Sequence, residues 1–184
     1  MAEPEDFIIQ YSQYCPYFDQ LTCPAGTHEP LHVLDVACGS GRHALLFARQ
    51  GHSVVAMERS EESRTSLRTT AQSEGLSVQI IEADVEEMSL LPDRFDIIVN
   101  TLFLYRPLFP HYIATLRPNG LLLFRTFTTD HADVLGHERP RRDFLLKPGE
   151  LGRAFADLET LHYEETVDGQ RAIATLVARA PYRT

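Results

Sequence analysis

The stretch Val33–Gly41, read Val-Leu-Asp-Val-Ala-Cys-Gly-Ser-Gly, constrains this chain more than any other. Val33 to Ala37 has the apolar character of a strand buried on both faces, as parallel strands are. Gly39 and Gly41 allow a sharp turn and bring backbone closer to a ligand than any side chain would permit. From Arg42 to Gln50 the pattern becomes helical, and Gly51 supplies a C-terminal stop. Strand, glycine turn and helix N-terminus together make a ligand site at the carboxyl edge of a parallel sheet, so the fold class is α/β.

The glycines alone do not name the ligand, because Gly39-Ser40-Gly41-Arg42-His43-Ala44 also satisfies the loose dinucleotide pattern G-x-G-x-x-G/A. Asp35 discriminates. A carboxylate inside this strand repels a pyrophosphate and attracts a cation. At this point the chain resembles the class I S-adenosylmethionine-dependent methyltransferases, whose first motif runs acidic-x-Gly-x-Gly-x-Gly. Here it reads Asp35-Val36-Ala37-Cys38-Gly39-Ser40-Gly41, with Ala37 in place of the first glycine. The resemblance implies a Rossmann-like sandwich built on a seven-stranded, mostly parallel sheet with a C-terminal antiparallel hairpin. It implies S-adenosyl-L-methionine as cofactor and S-adenosyl-L-homocysteine as product.

Ser53–Met57 reads as a second buried strand ending at Glu58, one β-α-β crossover beyond Gly39. A carboxylate there accepts from both hydroxyls of a ribose, with Arg59 beside it. Ser60 suits the N-cap of the next helix, with Glu61 and Glu62 in its first turn. Ser77–Ile81 is the third strand, after which the resemblance places Asp84 at the adenine amino group and Val85 on the ring. Phe95–Asn100 is the fourth strand, and the resemblance sets Asn100, Thr101 and Leu102 beside the cofactor. A helix over about Leu108–Leu116 and a turn at Arg117-Pro118-Asn119-Gly120 precede a fifth strand, Gly120–Phe124. Thr126–Lys147 is polar, and Pro148 stands near the first turn of a following helix. Leu158–Val167 and Gln170–Arg179 read as strands joined by a two-residue turn at Asp168-Gly169.

Before the first strand, Phe7–Leu21 carries Tyr11, Tyr14, Tyr17 and Phe18 on one helical face, interrupted at Pro16. An amphipathic helix covering the sheet edge accounts for that pattern. The resemblance instead makes residues 1–30 a helical lid, with Tyr11 and Tyr14 toward the site, over a cofactor-binding domain of residues 31–184. More narrowly, Tyr105-Arg106-Pro107-Leu108-Phe109-Pro110 and Asp143–Leu151 resemble the small methyltransferases related to tellurite-resistance proteins. Those relatives carry Glu-Thr-Phe where this chain has Arg125-Thr126-Phe127, a reversal of charge on the substrate side.

Methyl transfer is an in-line displacement in which alignment supplies roughly 7–11 kcal/mol in favourable cases. Thiol, selenium or tellurium nucleophiles need no strong base, whereas oxygen or nitrogen nucleophiles could use His43, Tyr105 or His131. His43 reads more readily as a helix-surface residue than as a base, and Cys38 as a small turn residue. Arg106 and Arg125, with Arg139, Arg141, Arg142 and Lys147, are candidates for binding an anionic acceptor. The bland reading of that basic segment is a solvated loop paired with acids such as Glu138 and Asp143. Tyr11, His43, Tyr105, Arg106 and Arg125 are therefore the catalytic candidates, and the acceptor is a small molecule.

Bulk properties bound the remaining classes. The 184 residues suit one domain. Seventeen Lys and Arg against 26 Asp and Glu, a net charge of −9, argue against a nucleic-acid partner. No apolar run approaches the roughly 18 residues that span a bilayer, the acidic N-terminus lacks the basic start of a signal peptide, and no metal is expected. Three cysteines suggest no disulfide framework. The expectation is a cytoplasmic monomer or weak homodimer. Two other functions compete: a nicotinamide oxidoreductase, disfavoured by Asp35 and the lack of a catalytic second domain, and a non-catalytic S-adenosylmethionine-binding protein acting through a partner.

Overall fold

The structure, a computed structural model, describes residues 5–12, 14, 30–82, 94–136 and 140–182. Within them lie β1 (His32–Val36), β2 (Ser53–Glu58), β3 (Val78–Glu82), β4 (Phe95–Thr101), β5 (Leu116–Phe127), β6 (Glu159–Val167) and β7 (Ala172–Arg179). They form one sheet in the order β3-β2-β1-β4-β5-β7-β6. The first five strands run parallel, while β7 is antiparallel to both β5 and β6. The chain order reverses direction across the sheet at β1 and β4, so the crevice for a ligand opens at their carboxyl ends.

Strand alternation sorts side chains to two apolar layers. On one face Val33, Ile97, Val99, Leu121 and Leu123 pack under α1 (Asp6–Ser12), α2 (Arg42–Arg49) and α3 (Glu61–Ser73) through Phe7, Ile8, Leu45, Phe47 and Leu67. On the other, Leu34, Val36, Ile98, Leu122 and Phe124 meet α4 (Phe109–Thr115) and α6 (Glu150–Ala154) through Tyr112 and Leu151, with Phe155 just beyond. This parity decides where each edge residue points. Asp35 and Arg125 belong to the α1–α3 face, and Asn100 to the α4–α6 face.

The elements differ from expectation at the β5 turn, at the last hairpin and in one added short helix. Of the segment Phe7–Leu21, the structure describes the helix Asp6–Ser12 and Tyr14, and residues 15–29 lie outside the described residues. The turn Arg117–Gly120 is carried inside β5 as an irregularity: Phe95 pairs with Leu116, and Ile97 already pairs with Leu121. Gly120 is required there by proximity, since a Cβ would lie 2.9 Å from the Arg117 carbonyl oxygen and 3.1 Å from that of Phe95. The last hairpin closes through Asp168–Arg171, whose Asp168 Oδ1 accepts from the N–H groups of Gln170 and Arg171 at 2.9 and 2.7 Å. The Asp168 N–H also donates to Arg171 O at 3.0 Å, so the two residues inside the turn are Gly169-Gln170, one position beyond the expected pair. A one-turn helix α5 (Asp130–Asp133) also forms in the segment read as polar loop.

Candidate active site

After β1 the backbone passes through three left-handed residues, Ala37 (φ 52°), Gly39 (φ 57°) and Gly41 (φ 82°). The two glycines differ in their surroundings. A Cβ on Gly41 would stand 2.3 Å from Leu67 Cδ1, whereas one on Gly39 would meet nothing within 4 Å. Gly41 is thus needed for packing, and Gly39 leaves bare backbone facing open space. Ala37 holds a left-handed conformation that costs a residue with a Cβ about 1–2 kcal/mol. Between them, Cys38 is buried. Burial, with Asp35 and Glu58 nearby, raises the affinity of its thiol for the proton, so it stays neutral.

Asp35 turns beneath α2 instead of outward at the strand edge, with 1% of its surface exposed. Its Oδ2 accepts from the Ala44 N–H at 3.0 Å, filling one of the free donors at the start of α2. Its Oδ1 is buried without a partner among the described residues. Desolvation pushes the carboxyl up to about 7, against the Ala44 N–H and the Arg42 charge, and Glu58 adds to the rise. Glu58 reaches back to the turn: Oε2 accepts from Gly39 N at 3.0 Å and Oε1 from Ser60 N at 2.7 Å. Arg64, a residue with no sequence signal, fixes this corner. Its Nη1 donates to the carbonyls of Glu58 and Arg59 at 3.0 and 2.5 Å, and Nη2 pairs with Glu82 at 3.0 Å. Arg59 itself is exposed. Asp84 and Val85 lie outside the described residues.

Parity corrects the expectation for Asn100. Its side chain is buried in the α4–α6 layer, with Nδ2 donating to Phe103 O at 2.8 Å and Oδ1 accepting from Tyr112 Oη–H at 3.0 Å. It shapes the loop after β4 and leaves the edge to Thr101 and Leu102. Leu102 is 39% exposed with φ 56°, held there by its N–H donating to Arg125 O at 2.7 Å. A non-glycine in this conformation at a strand's carboxyl end is the kind of strain that collects at ligand sites.

Arg106 is committed elsewhere. It forks onto Glu150 at 2.5 and 2.9 Å and donates to Asp143 O and Leu145 O at 2.8 and 2.9 Å, tying the loop after β4 to α6. Arg141 pairs with Asp143, and Arg142 with Asp133, so this part of the basic segment follows the bland reading. Arg139 and Glu138 lie outside the described residues. Tyr105 is half-buried against the α4–α6 layer.

Arg125 does face the edge. Its Nη1 meets Glu5 Oε2 at 2.9 Å, its Nε donates to Thr175 Oγ1 at 2.9 Å, and its Cζ lies 4.0 Å over the Phe7 ring. Glu5 Oε1 also takes Arg42 Nη2 at 2.6 Å. The Glu5 N–H donates to His43 Nε2 at 3.3 Å. Contrary to expectation, His43 is buried, and desolvation, with Arg42, pushes its pKa down to about 3. It is a neutral acceptor and too weak a base to take part at neutral pH. His131 is also buried, its Nδ1 accepting from Ala172 N. Tyr11 stacks on His162 of β6 with centroids 5.0 Å apart. These two residues, Glu5 and Arg125 line an open cavity of about 490 Å³. His162, Thr175 and Glu5 had no local sequence signal; only the sheet brings them to Arg125.

A bare glycine turn, a buried carboxylate oxygen lacking a donor and an acid at the end of β2 fit a cofactor with a cationic amino-acid end and a ribose. Residues 33–120 match the methyltransferase-domain family. A hemagglutinin 1 from Eikenella corrodens is 30% identical over 183 residues, covering 89% of this chain and 60% of that protein. A ubiquinone biosynthesis O-methyltransferase from Rhizobium etli is 35% identical over 86 residues, covering 47% of this chain and 35% of its own length. The chain therefore spans less than two thirds of either curated relative. In solved structures, TehB from Haemophilus influenzae superposes with a TM-score of 0.70 at 24% identity, over 96% of this chain and 66% of that one. A methyltransferase from Methanosarcina mazei gives 0.71 at 18% identity, over 99% of this chain and 100% of that one. Both are likenesses of fold. Residues 33–120 thus carry the methyltransferase-domain pattern, and the chain shares the fold of S-adenosylmethionine-dependent methyltransferases of known structure.

Proposed function

We propose that this chain moves a methyl group from S-adenosyl-L-methionine to a small-molecule acceptor, with S-adenosyl-L-homocysteine as the other product. The observation that carries the reading is the Asp35–Gly41 turn, with Asp35 bonded to the start of α2 and Glu58 reaching back from the end of β2 to Gly39. Bound cofactor supplies a methyl carbon already activated by a sulfonium centre. The protein's part is placement. Gly39 admits close approach, Glu58 accepts ribose hydroxyls, and the free Oδ1 of Asp35 draws the positive amino-acid end through its charge. Thr101 and Leu102 flank the acceptor side, Asp84 and Val85 hold adenine, and the N-terminal segment with Tyr11 closes over the cavity.

Of the base candidates read from the sequence, His43 is buried with its affinity for a proton lowered, and His43, Tyr105 and His131 do not line the cavity. This favours acceptors that attack without deprotonation by the protein: a thiolate, a selenium or tellurium nucleophile, or an anionic metabolite. The test is formation of S-adenosylhomocysteine across a panel of thiols, selenium and tellurium oxyanions and carboxylated thiols. Turnover with at least one member is expected. Tight cofactor binding without turnover by any of them would favour the non-catalytic reading.

A further inference from the structure

Arg125 is held on three sides but is not saturated. Thr175 takes its Nε, Phe7 covers one face and Glu5 takes only Nη1, end-on. Its Nη2 has no hydrogen-bond partner among the described residues and is not among the buried unsatisfied atoms. A guanidinium presents a fork that matches both oxygens of a carboxylate, and here half of that fork is open. The residue lines the cavity of about 490 Å³, of a size that takes a small molecule. The Tyr11–His162 stack makes a flat wall beside it. Glu5, 9% exposed on its side chain, bridges Arg125 to Arg42, which does not line the cavity. Glu5 can therefore release Arg125 and remain paired through its other oxygen.

We infer that the cavity binds an acceptor carrying a carboxylate, and that this carboxylate engages Arg125 in exchange for Glu5, which acts as an internal competitor. The inference rests on the methyltransferase reading of the same site and names its acceptor class. Asp6, Glu164 and Arg171 also line the cavity, so with Glu5 its three acids face two arginines and the lining as a whole is not basic. Arg171 is exposed, in the turn held by Asp168, so the anion preference is assigned to the half-enclosed open edge of Arg125, and the rest of the acceptor is neutral, lying against the aromatic wall.

The test uses benzoate as probe and benzyl alcohol as its uncharged counterpart, titrated into the full chain. Wild type should prefer benzoate, and Arg125→Gln should bind the two alike. Glu5→Gln, which removes the competing charge, should tighten benzoate about three- to tenfold and leave benzyl alcohol unchanged. Arg125→Lys, which leaves Glu5 in place but removes the fork, should weaken benzoate alone. The exchange is wrong if Glu5→Gln binds benzoate equally or more weakly, including by loosening α1, which would lower both ligands together. It is also wrong if Arg125→Gln and Arg125→Lys keep the wild-type preference. S-adenosylmethionine titrated into the same samples reports the methyltransferase reading separately: no binding by wild type would end that reading whatever benzoate does.

Discussion

Replacing Asp35 by asparagine separates two effects of one buried carboxylate. In the ligand-free fold its pKa stands near 7, against 3.8 for an ordinary aspartate, mainly because burial strips away its hydration. The folded state therefore holds its proton more tightly than the unfolded chain. Below pH 4 the group is neutral in both states and costs nothing. Between pH 4 and pH 7 the unfolded chain ionises first, and native stability falls. The displacement corresponds to roughly 4 kcal/mol when complete, and relaxation of the site leaves about 2–4 kcal/mol. Asparagine can still offer an oxygen to the Ala44 N–H and is isosteric with the neutral acid. Asp35→Asn should melt with wild type at pH 4 and about 5–15 °C above it at pH 8. Cofactor binding should move the other way. Without the charge, S-adenosylmethionine should bind about ten- to hundredfold more weakly, and the rise in wild-type affinity as Asp35 ionises around pH 7 should disappear. Thermal melts at the two pH values, with calorimetric titrations between pH 6 and 8, measure both. Equal melting at pH 8, or unchanged affinity, would refute this account of Asp35.

The two glycines should respond differently to alanine. Gly41→Ala drives a Cβ into Leu67 at a strained φ and should destabilise the fold by about 2–4 kcal/mol, seen in denaturant unfolding. Gly39→Ala meets no neighbour, so it should cost only about 1–2 kcal/mol in stability while weakening the cofactor disproportionately. Arg106→Ala breaks the fork to Glu150 and should lower stability by about 1–2 kcal/mol, leaving the acceptor's KM unchanged. Burial raises the Glu150 carboxyl, but hydrogen bonds from Arg106 and the Lys147 N–H outweigh it and hold the pKa below the ordinary value. This contribution is present at neutral pH and is lost as pH falls through the lowered pKa, so the gap between wild type and Arg106→Ala should narrow in acid.

The layout of the fold was readable because parallel strands leave near-continuous apolar runs, and Val33–Val36, Ser53–Met57 and Leu121–Phe124 are such runs. The turn after β1 was readable because only glycine is at ease where φ is positive, at Gly39 and Gly41. Side-chain direction at the strand ends was not. Asn100 and Arg125 both stand near carboxyl ends, yet strand parity sends one into the α4–α6 layer and the other to the cavity. Nor do long-range partners leave a local trace. Arg106 finds Glu150 and Arg125 finds Glu5 across the folded chain, which turned one of two equivalent-looking arginines into a brace. His43 sits on the first turn of an amphipathic helix, and it is buried because the Glu5 segment folds over it. The turn in β5 is legible as Pro-Asn-Gly chemistry, with Asn119 at φ 63°. Its inclusion within the strand comes from the pairing of Phe95 with Leu116, and Asp96 Oδ2 accepts from the His32 N–H and from Arg117 beside it.

The most direct test of the central claim is calorimetric titration of the chain with S-adenosylmethionine and, separately, with NAD, in wild type and Glu58→Ala. The account expects one saturable site for S-adenosylmethionine, weakened about ten- to hundredfold in Glu58→Ala, and no binding of NAD. Saturable NAD binding displaced by S-adenosylmethionine, or full S-adenosylmethionine affinity in Glu58→Ala, would contradict it.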